Sequence, residues 1–160
     1  MTPKARTTIQ ALDACHQQIH LYLDKLQVLL GYLRADDDEA LIRQMAGEIE
    51  VFFSGTSRQH HLEEEAEIFP PLLKSDDAEL VQAVQTLRQD HNWLELNWTE
   101  LAPMLRAVEQ GEDWVDLEHL QHAIKVYVNL SHDHIALEET LIYPQARANR
   151  AAELAKRQAG

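Results

Sequence analysis

Apolar residues recur three and four positions apart along nearly all of this 160-residue chain, and this periodicity constrains the fold more than any other feature. The spacing places apolar side chains on one face of an α-helix, whereas a half-buried strand requires alternation, which we do not find. Five glycines and five prolines lie mainly between the periodic segments. The sequence therefore predicts an all-α protein.

The points where the periodicity stops predict four long helices. They span about Thr7 to Arg34, Glu39 to Ile68, Asp76-Asp77 to Glu109, and Trp114 to Ile142. Because proline cannot donate to the helical ladder, we expect Pro70-Pro71 and Pro144 to end the second and fourth helices, and Pro103 to kink the third or end its regular part. Short connections predict an up-down-up-down four-helix bundle over residues 1–144. Residues 145–160 are expected to form a short helix packed on the outside or a frayed tail.

The charge balance excludes several classes of partner. The chain has 14 Lys and Arg residues against 27 Asp and Glu residues, which gives a formal net charge of −13. Nucleic-acid and anionic-membrane surfaces are therefore disfavoured as partners. We find neither an apolar run of membrane-spanning length nor a signal-peptide core, which favours a cytoplasmic location. The single cysteine, Cys15, excludes an intramolecular disulfide framework.

The two halves of the chain repeat each other around their histidines. His16 and His91 are each followed by apolar residues at +3, +7 and +10, which places both imidazoles on buried helical stripes. A second frame begins at His60 and at His134. It consists of His, Glu at +4 and +5, Ile at +8, an aromatic residue at +9 and Pro at +10. Two copies indicate a repeat of a helix pair rather than a solenoid.

The repeated spacing predicts a metal site. Residues four apart lie one turn along the same helical face, so His60 with Glu64, and His134 with Glu138, each present an imidazole and a carboxylate together. His16 and His91 add imidazoles from the other two helices. This donor set suits iron, manganese or zinc, and two carboxylates among four imidazoles suggest two ions with bridging glutamates.

Each of these residues also has an ordinary structural interpretation. A lone histidine on an apolar stripe is more often a hydrogen-bonded core residue, and a lone His-x-x-x-Glu is more often a surface pair. Two copies in register favour the metal site. We expect His61, Glu63, Glu65 and Glu67 to form a solvated face beside it, and His119, His122 and His132 to lie away from it.

With these motifs, the sequence from Thr7 to Pro144 resembles the hemerythrin-like (HHE cation-binding) domain family. The resemblance implies a four-helix bundle with a non-haem di-iron centre. Its metal ligands fall on His16, His60, Glu64, His91, His134 and Glu138. Oxygen-carrying members have a fifth histidine four residues from another on the third helix, where this chain has Glu95. His20, the repeat-equivalent position on the first helix, is the expected fifth ligand, with Glu95 as a further candidate or as a partner of a ligand.

The resemblance also implies a function. It predicts a protein that binds or senses O2, nitric oxide or peroxide at two iron ions of the Fe–O–Fe type, with manganese or zinc as alternatives. A second hypothesis is a di-iron oxidoreductase that acts on peroxide, nitric oxide or ferrous iron. A third is a metal-stabilised structural bundle that acts through partners. The sequence does not set the oligomeric state.

Overall fold

Four helical rods form the described part of the chain, which is residues 7–36 and 38–159 of a computed structural model. The first rod is α1 (Ile9–Arg34) and the third is α5 (Ala78–Glu109). The second rod consists of α2 (Glu39–Ser54), α3 (Thr56–Glu63), the π-helical segment π1 (Glu64–Ile68) and α4 (Phe69–Leu73). The fourth consists of α6 (Leu117–Leu137), the π-helical segment π2 (Glu138–Ile142) and α7 (Tyr143–Ala159).

The rods pack as the predicted bundle. Both α1 and α5 pack against α2 and α6, so that each rod has two neighbours, and the predicted all-α four-helix bundle is confirmed. Within residues 7–36 and 38–159 there is no strand. Gly55 alone separates α2 from α3, and an added Cβ there would lie 3.1 Å from the Val51 carbonyl oxygen. None of the helices described combines the length and the apolar character needed to cross a bilayer.

Polar caps set the starts of the long helices. Thr8, Asp38, Asp77 and Asp116 each accept hydrogen bonds from backbone N–H groups in the first turn that follows. The first three agree with the predicted starts. The predicted start of the fourth helix at Trp114 was three residues early, because Asp116 provides the cap and α6 begins at Leu117.

The prolines do not end the second and fourth helices, so those predictions were wrong. In each π-helical segment the hydrogen bond spans five residues, as from Phe69 N–H to the carbonyl of Glu64. A new α-helical turn then begins, and Pro70-Pro71 and Pro144 lie in that first turn, where a missing N–H costs little. Residues 145–159 are therefore helical and continue the fourth rod, largely exposed to solvent. The third rod likewise remains helical through Pro103.

A polar layer separates two apolar clusters along the bundle. On every rod, one stretch belongs to a cluster that includes Leu26, Trp98 and Tyr127, and another to a cluster that includes Leu12 and Leu87. Between them lie the buried polar residues, which are His16, Ser57, His60, Glu64, His91, Ser131, His134 and Glu138. All six ligands that the sequence assigned to four rods therefore share this layer.

Candidate metal centre

The polar layer contains two groups of side chains that point nitrogen and oxygen atoms toward common centres. One group is His16, His60, Glu64 and Glu138, and the other is His61, Glu64, His91 and His134. Within each group the facing atoms lie within 4.8 Å of one another. The structure thus brings together six of the seven residues predicted from sequence, together with His61.

Two carboxylate oxygens join these groups. Glu64 Oε1 lies 3.4 Å from His60 Nε2 and 3.3 Å from His91 Nε2. Glu138 Oε1 lies 3.3 Å from His16 Nε2 and 3.2 Å from His134 Nε2. Each glutamate therefore faces one imidazole from its own rod and one from another rod. This is the arrangement expected of carboxylates that bridge two ions.

Several buried atoms of the layer lack hydrogen-bond donors. Glu64 Oε1 and both carboxylate oxygens of Glu138 accept no hydrogen bond, although both side chains are fully buried. A buried carboxylate in this state is costly unless a cation compensates its charge. The donor set of imidazole nitrogens and carboxylate oxygens suits iron, manganese or zinc. The residues present therefore fit a bound metal.

A second ring of carboxylates orients the imidazoles. Glu139 Oε1 lies 3.2 Å from His16 Nδ1, and Glu65 Oε1 lies 2.9 Å from His91 Nδ1. Asp90 Oδ2 lies 3.3 Å from His134 Nδ1. Because an ionised carboxylate only accepts hydrogen bonds, each Nδ1–H donates and the Nε2 lone pair turns to the centre. Glu65, expected on a solvated face, is instead one of these partners.

Burial and neighbouring charges shift the pKa values of several groups in the layer. Burial lowers the pKa of His60 to about 4, and burial also lowers the pKa of His134 against the opposing effect of Asp90. Burial opposes ionisation of Glu64, yet the imidazoles of His60 and His91 hold its pKa below the usual range. The result is neutral imidazoles at His60 and His134 beside an ionised carboxylate at Glu64, the forms that ligate metals. At His91, burial is outweighed by the carboxylates of Glu64 and Glu65, which raise its pKa.

The comparisons with known proteins agree with this geometry. The family model of the hemerythrin HHE cation-binding domain matches residues 7–146. The chain belongs to the hemerythrin HHE cation-binding family. An uncharacterized protein of Haemophilus influenzae (strain ATCC 51907 / DSM 11121 / KW20 / Rd) is 29% identical over 135 residues, which covers 83% of this chain and 75% of that protein. No solved structure matches the chain with significance.

A fifth imidazole approaches the hemerythrin-like site, but it is not the one expected. The ring of His61 stacks on that of His91 at a centroid distance of 4.3 Å, and burial lowers the pKa of His61 well below its ordinary value. The expectation that His61 lies on a solvated face was wrong. The structure does not bring His20 into either group, since its ring stacks on His132 at 5.2 Å. Glu95 instead forms an ion pair with Arg58.

Tyr143 is a site residue that the sequence analysis missed. Its buried hydroxyl donates a hydrogen bond to Glu64 Oε2 at 2.8 Å. Tyr143 follows His134 by nine residues, which is two and a half turns of a regular α-helix and places it on the opposite face. The extra residue in the wide turn of π2 returns the side chain to the face of the site. An aromatic residue at +9 in both repeats was the available signal.

A small cavity adjoins the site on the side of the larger apolar cluster. It has room for about one water-sized molecule. Its polar lining includes His60, His134 and Glu138. The other lining residues are Ile19, Ser57, His61, Leu94, Tyr127, Ser131 and Ile135. A molecule in this cavity would contact side chains of both groups.

Proposed function

We propose that this hemerythrin-like chain holds two iron ions in its polar layer and binds a small ligand there, namely O2, nitric oxide or peroxide. The proposed ligands of the ions are His16, His60, Glu64, His91, His134 and Glu138. The observation that carries the proposal is that one oxygen of Glu64 and one of Glu138 each face imidazoles of both groups at 3.2–3.4 Å.

The distribution of donors supports two ions. His16 and His60 belong to one group, and His91 and His134 to the other, while Glu64 is common to both. Glu138 Oε1 also contacts an imidazole of each group. A single ion bound to either pair of imidazoles would leave the nitrogen lone pairs of the other pair without a cation to accept them.

The choice of iron rests on the proposed chemistry. The same donors accept manganese or zinc, but zinc has no redox chemistry of its own. Reversible binding of O2 or nitric oxide requires a redox-active metal with an open coordination position. When bound, iron would supply that position and the electrons shared with the ligand. The protein supplies the oriented imidazoles and the bridging carboxylates.

The cavity supports a diatomic or similarly small ligand. It has room for about one water-sized molecule, and its walls include the apolar side chains of Ile19, Leu94 and Ile135. An organic substrate would need side chains of the polar layer and of the apolar cluster to move. Ser57 and Ser131 also line the cavity.

The test is ligand binding to the metal-loaded protein. The chain is loaded anaerobically with ferrous iron, its iron content is measured, and O2, nitric oxide and peroxide are titrated separately while visible absorption is followed. We expect two irons per chain and a saturable spectral change with at least one of the three. Iron binding without any spectral response would contradict the proposed ligand class. Continuous consumption of peroxide or nitric oxide would favour an oxidoreductase.

A further inference from the structure

Two aromatic rings occupy equivalent places in the repeat but differ by one hydroxyl. The ring of Tyr143 stacks on His16 at a centroid distance of 4.9 Å, and the ring of Phe69 stacks on His91 at 5.5 Å. Both side chains are buried, with exposed fractions of 0% and 1%. Since Phe69 makes its stacking contact without a hydroxyl, the hydroxyl of Tyr143 is not needed for packing.

Apart from Glu64, which both groups share, the hydroxyl of Tyr143 contacts residues of only one group. Tyr143 Oη lies 2.8 Å from Glu64 Oε2, 3.1 Å from His16 Nε2 and 3.4 Å from His60 Nε2. These separations are close to the distance of about 3 Å between neighbouring ligand atoms of an octahedral ion whose bonds are about 2.1 Å long. The phenol oxygen therefore has the spacing of a further ligand in the group of His16 and His60.

In the metal-free protein, the hydrogen bonds of His16 and Tyr143 direct two lone pairs toward each other. His16 donates from Nδ1 to Glu139, so its Nε2 presents a lone pair to Tyr143 Oη. The hydroxyl hydrogen is directed to Glu64, so an oxygen lone pair faces that nitrogen at 3.1 Å. Two lone pairs at this separation repel each other. A cation between the two atoms turns the repulsion into attraction.

The other group lacks this oxygen and has different neighbours. In this group, Phe69 occupies the position that is equivalent to that of Tyr143 in the first group, and the imidazole of His61 stacks on His91. Asp90 contacts Nδ1 of His134 and orients that imidazole. In the other half of the repeat, Cys15 is at the position of Asp90, and Nδ1 of His60, the equivalent of His134, has no hydrogen-bond partner. One group is therefore richer in oxygen and the other richer in imidazole.

We propose that Tyr143 binds through Oη to the iron held by His16 and His60, and that the two metal positions are therefore chemically different. This inference rests on the proposed function, because it requires iron in the layer. On binding, the Oη–H bond breaks, the Oη–iron bond forms, and the proton passes to solvent.

The experiment compares the wild type, Y143F and the control Y22F, which removes the hydroxyl of a tyrosine that stacks on Phe52. Each protein is loaded with ferrous iron and oxidised with ferricyanide, which takes one electron from each ion. Iron per chain, visible absorption and resonance Raman spectra are then measured. A phenolate bound to ferric iron gives an intense visible charge-transfer band and enhanced ring vibrations. We expect both in the wild type and Y22F and neither in Y143F.

The outcomes separate this inference from the proposed function. Two irons in both the wild type and Y143F, with identical spectra, would overturn the inference and leave the di-iron centre standing. Absence of bound iron from the wild type would overturn both. If Y143F fails to fold, the Raman spectrum of the ferric wild type decides alone, since absent phenolate vibrations contradict the proposal. The double variant Y143F/F69Y is expected to regain a charge-transfer band at the other position.

Discussion

His16 Nδ1 lies 3.2 Å from Glu139 Oε1, although the two residues are 123 positions apart in the chain. The other half repeats this contact between His91 Nδ1 and Glu65 Oε1 at 2.9 Å. Glu65 and Glu139 are the +5 glutamates of the sequence repeat, directly after Glu64 and Glu138. The repeat therefore encodes the carboxylates that orient the imidazoles of the other rods as well as the carboxylates that face the centre.

Glu139→Gln is expected to weaken metal binding by roughly 10- to 100-fold, because a neutral amide orients His16 less firmly than a carboxylate and makes the imidazole less basic. Competition with a chelator of known affinity measures the change. Glu63→Gln, which alters a carboxylate that contacts Gln59, is the matched control. Equal affinities for Glu139→Gln and the wild type would show that the contact has no role in ligation.

Glu64→Ala and Glu138→Ala are expected to halve or abolish metal loading, since each removes the oxygen that faces imidazoles of both groups. Metal per chain is measured after identical loading and desalting. His122→Ala changes an exposed imidazole and is expected to retain full loading. If His122→Ala lost as much metal as Glu64→Ala, the assignment of the site to the polar layer would be wrong.

The metal-free protein is expected to lose stability as the pH falls from about 6.5 toward 4. Burial lowers the pKa of His60 from 6.5 to about 4, so the unfolded chain binds more protons within this window. The free energy of unfolding therefore decreases with acidification, by on the order of 3 kcal/mol from His60 alone. The lowered pKa values of His61 and His134 act in the same direction, and the raised pKa of His91 opposes them.

Urea unfolding of the metal-free protein at a series of pH values measures this dependence. His60→Asn removes the titrating group, and we expect its free energy of unfolding to fall less steeply over the same range. An identical slope for the variant and the wild type would show that His60 ionises in the folded protein as easily as in the unfolded chain.

Ser131→Val is expected to weaken binding of the small ligand while leaving metal loading intact. Ser131 lines the cavity, and the larger side chain reduces a space that holds about one water-sized molecule. Overpacking costs about 1–3 kcal/mol, which corresponds to roughly tenfold or more in affinity. Titration of the reduced, iron-loaded variant with nitric oxide or O2 tests this. Unchanged affinity with unchanged metal content would place the ligand outside the cavity.

Sequence periodicity was sufficient for the fold because helical patterning and polar caps act locally. The periodicity predicted the four rods, and Asp38 and Asp77 correctly indicated where two of them begin. The repeat was sufficient to predict the six residues that the structure places in the polar layer, because residues four apart share a face in any α-helix. Both inferences depend on regular helical geometry within one or two turns.

The remaining features depend on where that geometry changes. The π-helical segments begin at Glu64 and Glu138, and each shifts the residues after it to a different face. A regular helix places Tyr143 away from the site and makes Pro144 an end signal. For this one reason Tyr143 was missed and the predicted helix end at Pro144 was wrong. The position of His61 beside the site was missed for another reason. Its stacking on His91 depends on how the second and third rods pack, which helical periodicity does not describe.

The number of irons bound per chain decides whether the polar layer holds a di-iron centre. The purified protein is loaded anaerobically with ferrous iron, desalted and analysed by plasma mass spectrometry, with Glu64→Ala prepared in parallel. We expect two irons per wild-type chain and one or none in the variant. A folded wild-type protein that retains no iron after loading would contradict the di-iron centre.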